Sequence, residues 1–133
     1  MTREVASLTS ESRLPHRHDN RTEEILAHLP ESEDIETVAG LMKLLGDPSR
    51  LRIFWILCHV EECVINIAAM TEMSSPAVSH HLRLLKSGGL ISARREGKEM
   101  YYRAADTPLA RRLHHAVEEI MEISCPQDGG THG

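Results

Sequence analysis

The chain has 133 residues, enough for one domain with a modest core, and 41% of them are hydrophobic, as in an ordinary globular protein. Aromatic residues make up only 3%, so the core is expected to be aliphatic, which suits packed helices better than a sheet sandwich. The three cysteines form no paired framework, no apolar run approaches the ~20 residues of a membrane span, and the polar start has no signal-peptide pattern. These features exclude a membrane protein and a disulfide scaffold, and they predict a reducing, cytoplasmic location.

The net charge of −5 argues against a nucleic-acid partner, but the distribution of the charges argues for one. Between Ser75 and Arg103, six Lys and Arg residues stand against two acidic residues, whereas the other segments are neutral or acidic. A basic face on an acidic protein concentrates the attraction for phosphate on one surface. The sequence therefore allows DNA as a partner.

The first part of the chain predicts an arm and two helices. Residues 1–21 are polar and without periodicity, so we expect a flexible arm. Residues 22–29 predict a short helix with Thr22 as its N-cap, and a second helix is expected from Ser32 to a stop at Gly46.

Asp47 is the predicted N-cap of the next helix and Pro48 its predicted first residue; this helix should run to about His59. Its apolar side chains lie around much of its circumference, so we expect this helix to be central to the core.

Two short helical segments follow, separated by Thr71–Ser74, a break that fits only a tight turn. Ser75 and Pro76 are predicted to cap and open the second segment. One face of that segment carries an apolar stripe at i, i+4 and i+7, formed by Val78, Leu82 and Leu85. The opposite face is small and polar at its start and cationic further along, which is typical of a helix that enters the DNA major groove. We therefore predict a helix-turn-helix with DNA contacts from Ser75, Ala77, Ser79, His80, Arg83 and Lys86.

After Gly88 and Gly89 the pattern changes from helical to extended. Residues 90–95 and 99–104 predict two strands of a hairpin, with Gly97 supplying the positive φ of the turn. Such a hairpin beside a recognition helix is a wing, and its cations are predicted to meet phosphate: Arg94, Arg95 and Lys98.

Thr107 and Pro108 open a last helix, apolar at helical spacing, that is expected to end near Cys125. Residues 126–133 are predicted to be a disordered tail, which leaves residues 22–125 as one mainly α winged helix-turn-helix domain with a β-hairpin. The first and last helices have no place in a winged core, so their apolar stripes predict a twofold dimer. A dimer sets two recognition helices about 34 Å apart, the spacing of an inverted-repeat operator in double-stranded DNA.

The chain resembles the ArsR/SmtB family of bacterial metal-sensing repressors in four segments: GDPSRLRIFWIL, ECVINIAAM, SSPAVSHHLRLLKSGGLI and RREGKEMYYRA. The similarity runs in register from about Ile35 to Glu122. It implies a homodimeric repressor that leaves its operator when it binds a metal ion, and that controls efflux or sequestration genes. Glu72 occupies a turn position where the family often has glycine.

The resemblance implies a metal site between the paired last helices. Asp106, Glu119 and Glu122 match three of the family's ligand positions, while Pro108 stands where the family has its first histidine. His115, one turn before Glu119, is a substitute ligand. Carboxylate and imidazole ligands favour Zn²⁺ or a similar divalent ion, so the predicted inducer site is Asp106, His115, Glu119 and Glu122.

The family also has a thiolate site before the recognition motif. Cys63 matches its first cysteine, but Ile65 and Asn66 replace the second thiol and the acid. An alternative mixed nitrogen and sulfur site for zinc combines Cys58 and Cys63 with His59, or with His16 and His18 from the arm.

Other interpretations stay open. The same fold with no metal response would sense thiol oxidation at Cys58 and Cys63, or sense nothing. Each predicted site also has an ordinary structural alternative. In that alternative, the predicted DNA-binding residues form an exposed helix face and turn, the cysteines are buried packing residues, and the acidic residues of the last helix form a solvated surface. An enzyme is not predicted, because the sequence contains no phosphate loop, nucleophile elbow or HExxH motif.

Overall fold

The computed structural model describes residues 14–124, which belong to two compact units, Met1–Met42 and Lys43–Gly133. Most of the predicted arm, residues 1–13, and the predicted tail together with Cys125 lie outside the described residues.

The described part of the first unit holds helix α1 (Asn20–Ala27) and most of helix α2 (Ser32–Leu44). α1 begins two residues before the predicted start, because Asp19 rather than Thr22 is the N-cap. The Thr22 backbone N–H donates to Asp19 Oδ1 at 3.2 Å. Neither helix contains a buried residue, and several of their large apolar side chains are exposed, among them Ile25, Ile35, Val38 and Met42.

Helix α3 (Pro48–Leu57) is central to the second unit, as predicted. Asp47 is its N-cap, and the Asp47 Oδ2 atom accepts a hydrogen bond from the Arg50 backbone N–H at 2.9 Å. The helix ends at Leu57, two residues earlier than predicted. Four of its side chains are at most 7% exposed: Ile53, Phe54, Ile56 and Leu57.

Three further helices complete the second unit: α4 (Val64–Thr71), α5 (Ser75–Ser87) and α6 (Pro108–Ser124). α4, the short turn after it and α5 form the predicted helix-turn-helix. α6 begins as predicted, since the Ala110 backbone N–H donates to Thr107 Oγ1 at 3.1 Å and closes the first turn.

An antiparallel sheet of three strands, in the order β1-β3-β2, lies beside the helices: β1 (Glu62–Cys63), β2 (Ile91–Glu96) and β3 (Glu99–Ala104). β2 and β3 are the predicted hairpin. Glu96 pairs with Glu99 across a two-residue turn, and Gly97 has the positive φ of 64° that its first position needs. β1 was not predicted, because two residues show no periodicity; it is defined by pairing of Glu62 with Tyr102 and of Cys63 with Tyr101.

The core of the second unit is aliphatic apart from Phe54, as the composition predicts. It joins α3 to both helices of the helix-turn-helix and to the start of β2 through fully or nearly fully buried side chains: Ile53, Phe54, Leu57, Ile67, Val78, Leu82, Leu85, Leu90 and Ile91. The predicted winged helix-turn-helix is thus confirmed. Among the described residues, no helix combines the length and the apolar character that a bilayer-spanning segment requires.

Candidate nucleic-acid interface and metal centre

Helix α5 is fixed by its apolar stripe, which leaves its polar face outwards. Val78 and Leu85 are 0% exposed and Leu82 is 2% exposed, so the helix cannot rotate without exposing this stripe. On the other face, four of the six predicted DNA contacts are exposed, namely Ser75, His80, Arg83 and Lys86. Ala77 and Ser79 are half-buried.

The start of α5 differs by one residue from the prediction. Ser74, not Ser75, is the N-cap: its Oγ accepts a hydrogen bond from the Ala77 backbone N–H at 3.2 Å. The Ser75 hydroxyl is therefore not used by the cap, and it stays available on the exposed first turn.

Two of the predicted contacts lie together further along α5. Arg83 Nη1 is 3.5 Å from His80 Nδ1, one turn earlier on the same face. The neighbouring His81 turns the other way: its side chain is 13% exposed and lies 3.8 Å from Asp47 Oδ2. Burial lowers the pKa of His81, which favours its neutral form and fits packing rather than phosphate contact.

The turn between α4 and α5 is closed by a Schellman motif in which Glu72 takes the left-handed conformation, with φ of 55°. The Met73 backbone N–H donates to the Ala68 carbonyl at 3.0 Å, and the Glu72 N–H donates to the Ala69 carbonyl at 3.4 Å. This backbone role accounts for Glu72, to which the sequence assigned no function.

The hairpin presents its cations unequally. Arg95 and Lys98 are exposed at its tip. The Arg94 guanidinium instead contacts three side chains: it donates two hydrogen bonds of 2.8 Å to Glu61 and one of 2.6 Å to Glu96, and it lies over the Tyr101 ring. Arg94 lowers the pKa of the Glu61 carboxyl, so this ion pair is charged at neutral pH.

The metal ligands predicted at the last helix are all exposed, and within the described residues only two of them meet. His115 Nε2 is 3.2 Å from Glu119 Oε2, one turn apart. Asp106 is instead paired with Arg111 at 2.6 Å. Glu122 joins no group of three or more ligands within the described residues.

The alternative cysteine site is not assembled within the second unit. Cys58 and Cys63 are free and half-buried, and among the described residues neither belongs to a group of three metal-ligand side chains. Burial, with a smaller contribution from Glu118, raises the pKa of Cys58 to about 11. His16 and His18 lie in the first unit with their rings stacked, and their part in a shared site stays a prediction.

A different group of ligand side chains does come together: His59, His114 and Glu118. His59 follows α3, whereas His114 and Glu118 lie one turn apart on α6. The two Nε2 atoms are 3.2 Å apart, and Glu118 Oε2 is 3.4 Å from His114 Nε2 and 3.5 Å from His59 Nε2. We call these three residues the histidine cluster.

Trp55 holds the histidine cluster in place. Its indole N–H donates to Glu118 Oε2 at 2.6 Å, and its ring centroid lies 4.2 Å from that of His59. The same hydrogen bond is the largest cause of the lowered pKa of Glu118, so the carboxylate is charged at neutral pH.

Sequence reasoning missed His114 and Glu118 as ligands. The i, i+4 spacing of the pair was visible on the predicted last helix. What the sequence did not show is that α6 brings the pair against His59, which is 55 residues away from His114 along the chain.

A model of the bacterial regulatory proteins of the arsR family matches residues 47–93, from the cap of α3 into β2. A transcriptional repressor SmtB homolog from Synechocystis is 32% identical over 108 residues, which are 81% of this chain and 82% of the relative. The chain belongs to the arsR family.

Two further relatives extend the comparison over most of the chain. A cadmium resistance transcriptional regulatory protein CadC homolog from Staphylococcus aureus is 30% identical over 125 residues, which cover 93% of this chain and 98% of the relative. The homodimeric winged helix-turn-helix DNA-binding domain of a Mycobacterium bovis protein has a TM-score of 0.61 at 32% identity, covering 82% of this chain and 91% of that one. As a member of the arsR family, the chain is a DNA-binding transcriptional regulator.

Proposed function

We propose that this arsR-family regulator is a homodimeric repressor that binds an operator through α5 and the hairpin and is released by a divalent metal ion. The observation that carries the DNA-binding part is the orientation of α5: its apolar stripe is buried in the core, and its polar and cationic face is exposed. The contacting residues are Ser75, Ala77, Ser79 and His80 near the bases, and Arg83, Lys86, Arg95 and Lys98 at phosphates. Arg94 contributes only where DNA competes with Glu61 and Glu96 for its guanidinium.

The dimer rests on apolar surface that one subunit leaves exposed. α1 and α2 bury no residue, and α6 carries Ile123 at 77% exposure. A twofold partner covers such surfaces with the same surfaces of a second copy, and it presents two recognition helices to an inverted repeat. The Mycobacterium bovis relative is described as homodimeric, which supports the same assembly here.

Release by metal requires that the ion bind more tightly to a subunit arrangement that does not fit DNA. By linkage, DNA then weakens the affinity for the metal by the same factor. The relatives include a protein named for cadmium resistance and an SmtB homolog, and nitrogen and oxygen ligands in this chain favour Zn²⁺ or a neighbouring ion. The last-helix set of Asp106, His115, Glu119 and Glu122 is one place for it, with ligands drawn from both subunits.

Thiol oxidation at Cys58 and Cys63 is the weaker alternative. The thiolate is the reactive form, and a pKa of about 11 leaves roughly one Cys58 in ten thousand as thiolate at pH 7. The Cys58 thiol in this environment is therefore a slow nucleophile.

An operator titration tests the proposal. The DNA upstream of the chain's own gene, presented to the purified protein in fluorescence anisotropy, should bind as a dimer, and saturating Zn²⁺ should weaken binding by at least tenfold. Operator affinity that is unchanged at saturating Zn²⁺, Co²⁺ and Cd²⁺ but is lost on oxidation would replace the metal response with the thiol alternative.

A further inference from the structure

We propose that the histidine cluster, His59, His114 and Glu118, is a tetrahedral binding site for Zn²⁺ or a similar divalent ion within one subunit. The role of this cluster as the inducer site of the repressor rests on the proposed function. As a metal site, it stands on the geometry alone.

The distances among the three ligand atoms fit one coordination geometry. They are 3.2, 3.4 and 3.5 Å, so the atoms form a nearly equilateral triangle. Around an ion with bonds of 2.0–2.1 Å, ligand atoms are about 3.3 Å apart in a tetrahedron and about 2.9 Å apart in an octahedron. The triangle therefore matches one face of a tetrahedral zinc site.

The two imidazole rings approach each other through their Nε2 atoms, an arrangement that suits binding of one cation by both rings. At 3.2 Å, His59 Nε2 and His114 Nε2 can share a single proton between them, and two protonated nitrogens would repel each other. A metal ion above the centre of the triangle accepts both lone pairs, together with one lone pair of Glu118.

The surroundings supply what such a site needs beyond its ligands. Trp55 donates to Glu118 Oε2 at 2.6 Å, which leaves the second lone pair of that oxygen for a metal and fixes the carboxylate. His59 and His114 also line an open cleft of about 400 Å³, into which a fourth ligand such as water fits. The donor set of two imidazoles and one carboxylate belongs to the nitrogen and oxygen ligands that suit zinc rather than a soft ion.

The chain contains a matched comparison for the histidine cluster. His115 and Glu119 lie on the same helix with the same i, i+4 spacing and a similar distance of 3.2 Å. This pair lies one residue further along α6 than His114 and Glu118, and its side chains are 75% and 67% exposed. It has no third ligand beside it within the described residues. His115→Gln therefore removes an equivalent histidine and leaves the histidine cluster intact.

Zinc titration of the full-length protein tests the site directly, because Trp55 is the only tryptophan and contacts two of the three ligands. Zn²⁺ should change the Trp55 emission with a stoichiometry of one ion per subunit, and Co²⁺ should give the visible absorption of a tetrahedral complex. His59→Gln, His114→Gln and Glu118→Gln should each weaken affinity by more than about 100-fold, while His115→Gln, which removes a ligand of the rival last-helix set, should keep the affinity of the histidine cluster. His28→Gln, an exposed histidine outside both sets, is the neutral control. Circular dichroism of each metal-free variant confirms that it is folded.

The opposite pattern overturns the assignment. Loss of the ion in His115→Gln, with wild-type affinity in the three cluster variants, would place the metal at the last-helix set. Failure of the wild type to bind Zn²⁺ or Co²⁺ would eliminate the site together with the metal response.

Operator binding separates the site from the proposed function. If Zn²⁺ binds at the histidine cluster and also releases DNA, and both effects are lost in His114→Gln, the site and the repressor mechanism are both supported. If Zn²⁺ binds there without changing operator affinity, the site is supported and metal-induced release is wrong. If Zn²⁺ releases DNA equally from the wild type and all three cluster variants, metal-induced release stands and the histidine cluster is not the inducer site.

Trp55→Phe tests the positioning role of the indole N–H while keeping an aromatic ring beside His59. Because this variant has no tryptophan, its affinity is read from the visible absorption of Co²⁺, and it should be about 10–100-fold weaker than in the wild type. The thermal stability of the metal-free protein should change little. A loss of stability with unchanged zinc affinity would show that Trp55 serves packing alone.

Discussion

Glu72 shows how a single backbone conformation decides which residue fits. Both helices of the helix-turn-helix end in a Schellman motif, with Glu72 in the left-handed position after α4 and Gly89, at φ of 79°, after α5. Glycine takes this conformation without a steric penalty, whereas a residue with a Cβ pays about 1 kcal/mol. Among the described residues, Glu72 is the one non-glycine with a positive φ.

Glu72→Gly should therefore stabilise the protein. We expect the free energy of unfolding to rise by about 0.5–1 kcal/mol, measured by urea denaturation of the metal-free protein. Glu72→Ala is the control, because it removes the carboxylate and keeps the Cβ; it should leave stability nearly unchanged. Equal stabilisation by both variants would show that the side chain, not the backbone, is the cause.

Arg83 is an exposed cation of α5, one turn after His80. Arg83→Ala should weaken binding to all DNA sequences and reduce the salt-dependence slope of log K by about 1. Binding isotherms between low and moderate salt measure that slope. Arg112→Ala, an exposed arginine on α6, is the control and should keep the wild-type slope. A slope in Arg83→Ala equal to that of the control would remove Arg83 from the phosphate contacts.

At the scale of single elements, the presence of a cap at the start of a helix was predicted better than the identity of the capping residue. Asp47 caps α3 and Thr107 caps α6 as expected, each directly before its proline. Before Pro76 there are two serines, and either could be the cap from composition alone. The structure chooses Ser74, since the helix begins at Ser75.

The two serines should consequently have different effects. Ser74→Ala should lower the free energy of unfolding by about 1 kcal/mol through loss of the hydrogen bond to the Ala77 N–H. Ser75→Ala should leave stability nearly unchanged and weaken operator binding instead. Chemical denaturation and anisotropy titrations on both variants measure the two effects, and a reversal of the two results would restore Ser75 as the cap.

The hairpin was predicted as an element, but the partner of Arg94 was not. Glu61 lies 33 residues away in sequence, between α3 and β1, and only the pairing of β1 with β3 brings it beside the hairpin. Because Glu61 and Glu96 hold this guanidinium, the hairpin in free protein presents less positive charge than its sequence suggests.

Glu61→Gln should release part of that charge to DNA. One added phosphate contact steepens the salt-dependence slope of log K by about 0.9 and should raise affinity several-fold at low salt. Glu62→Gln is the matched control. It removes the same charge one residue away, but the Glu62 carboxylate accepts a hydrogen bond from Asn66 and is not bonded to Arg94. If both variants change the slope equally, the effect is one of net charge and not of Arg94.

At the scale of the whole molecule, patterns local in sequence were predictable and contacts between distant elements were not. Periodicity and turn residues gave the helices, the hairpin and the exposed face of α5. The histidine cluster depends on how α6 packs against the end of α3, and one sequence carries no sign of that packing. The family resemblance pointed to Glu119, with His115 one turn earlier as a substitute ligand, and not to His114 and Glu118. Within the described residues, His115 and Glu119 meet each other but belong to no group of three ligands.

The dimer is the whole-molecule prediction that remains to be measured. Ile123→Glu places a charge on the apolar stripe of α6 at a site 77% exposed in one subunit. It should shift the protein to monomers in sedimentation velocity and weaken operator binding by at least tenfold. Arg111→Glu, an exposed α6 residue on a different face of the helix from Ile123, is the control and should remain dimeric. A fully dimeric Ile123→Glu protein would exclude this part of α6 from the interface.

The short strand β1 has a mechanical consequence. Only Val60 and Glu61 separate His59 from β1, and α4 begins immediately after it at Val64. Because β1 is paired with β3 and Glu61 is hydrogen-bonded to Arg94 of the hairpin, the connection between α3 and α4 is held at both strands. We therefore expect a displacement of the His59 backbone to move α4, the first helix of the helix-turn-helix, rather than to be absorbed by a flexible loop.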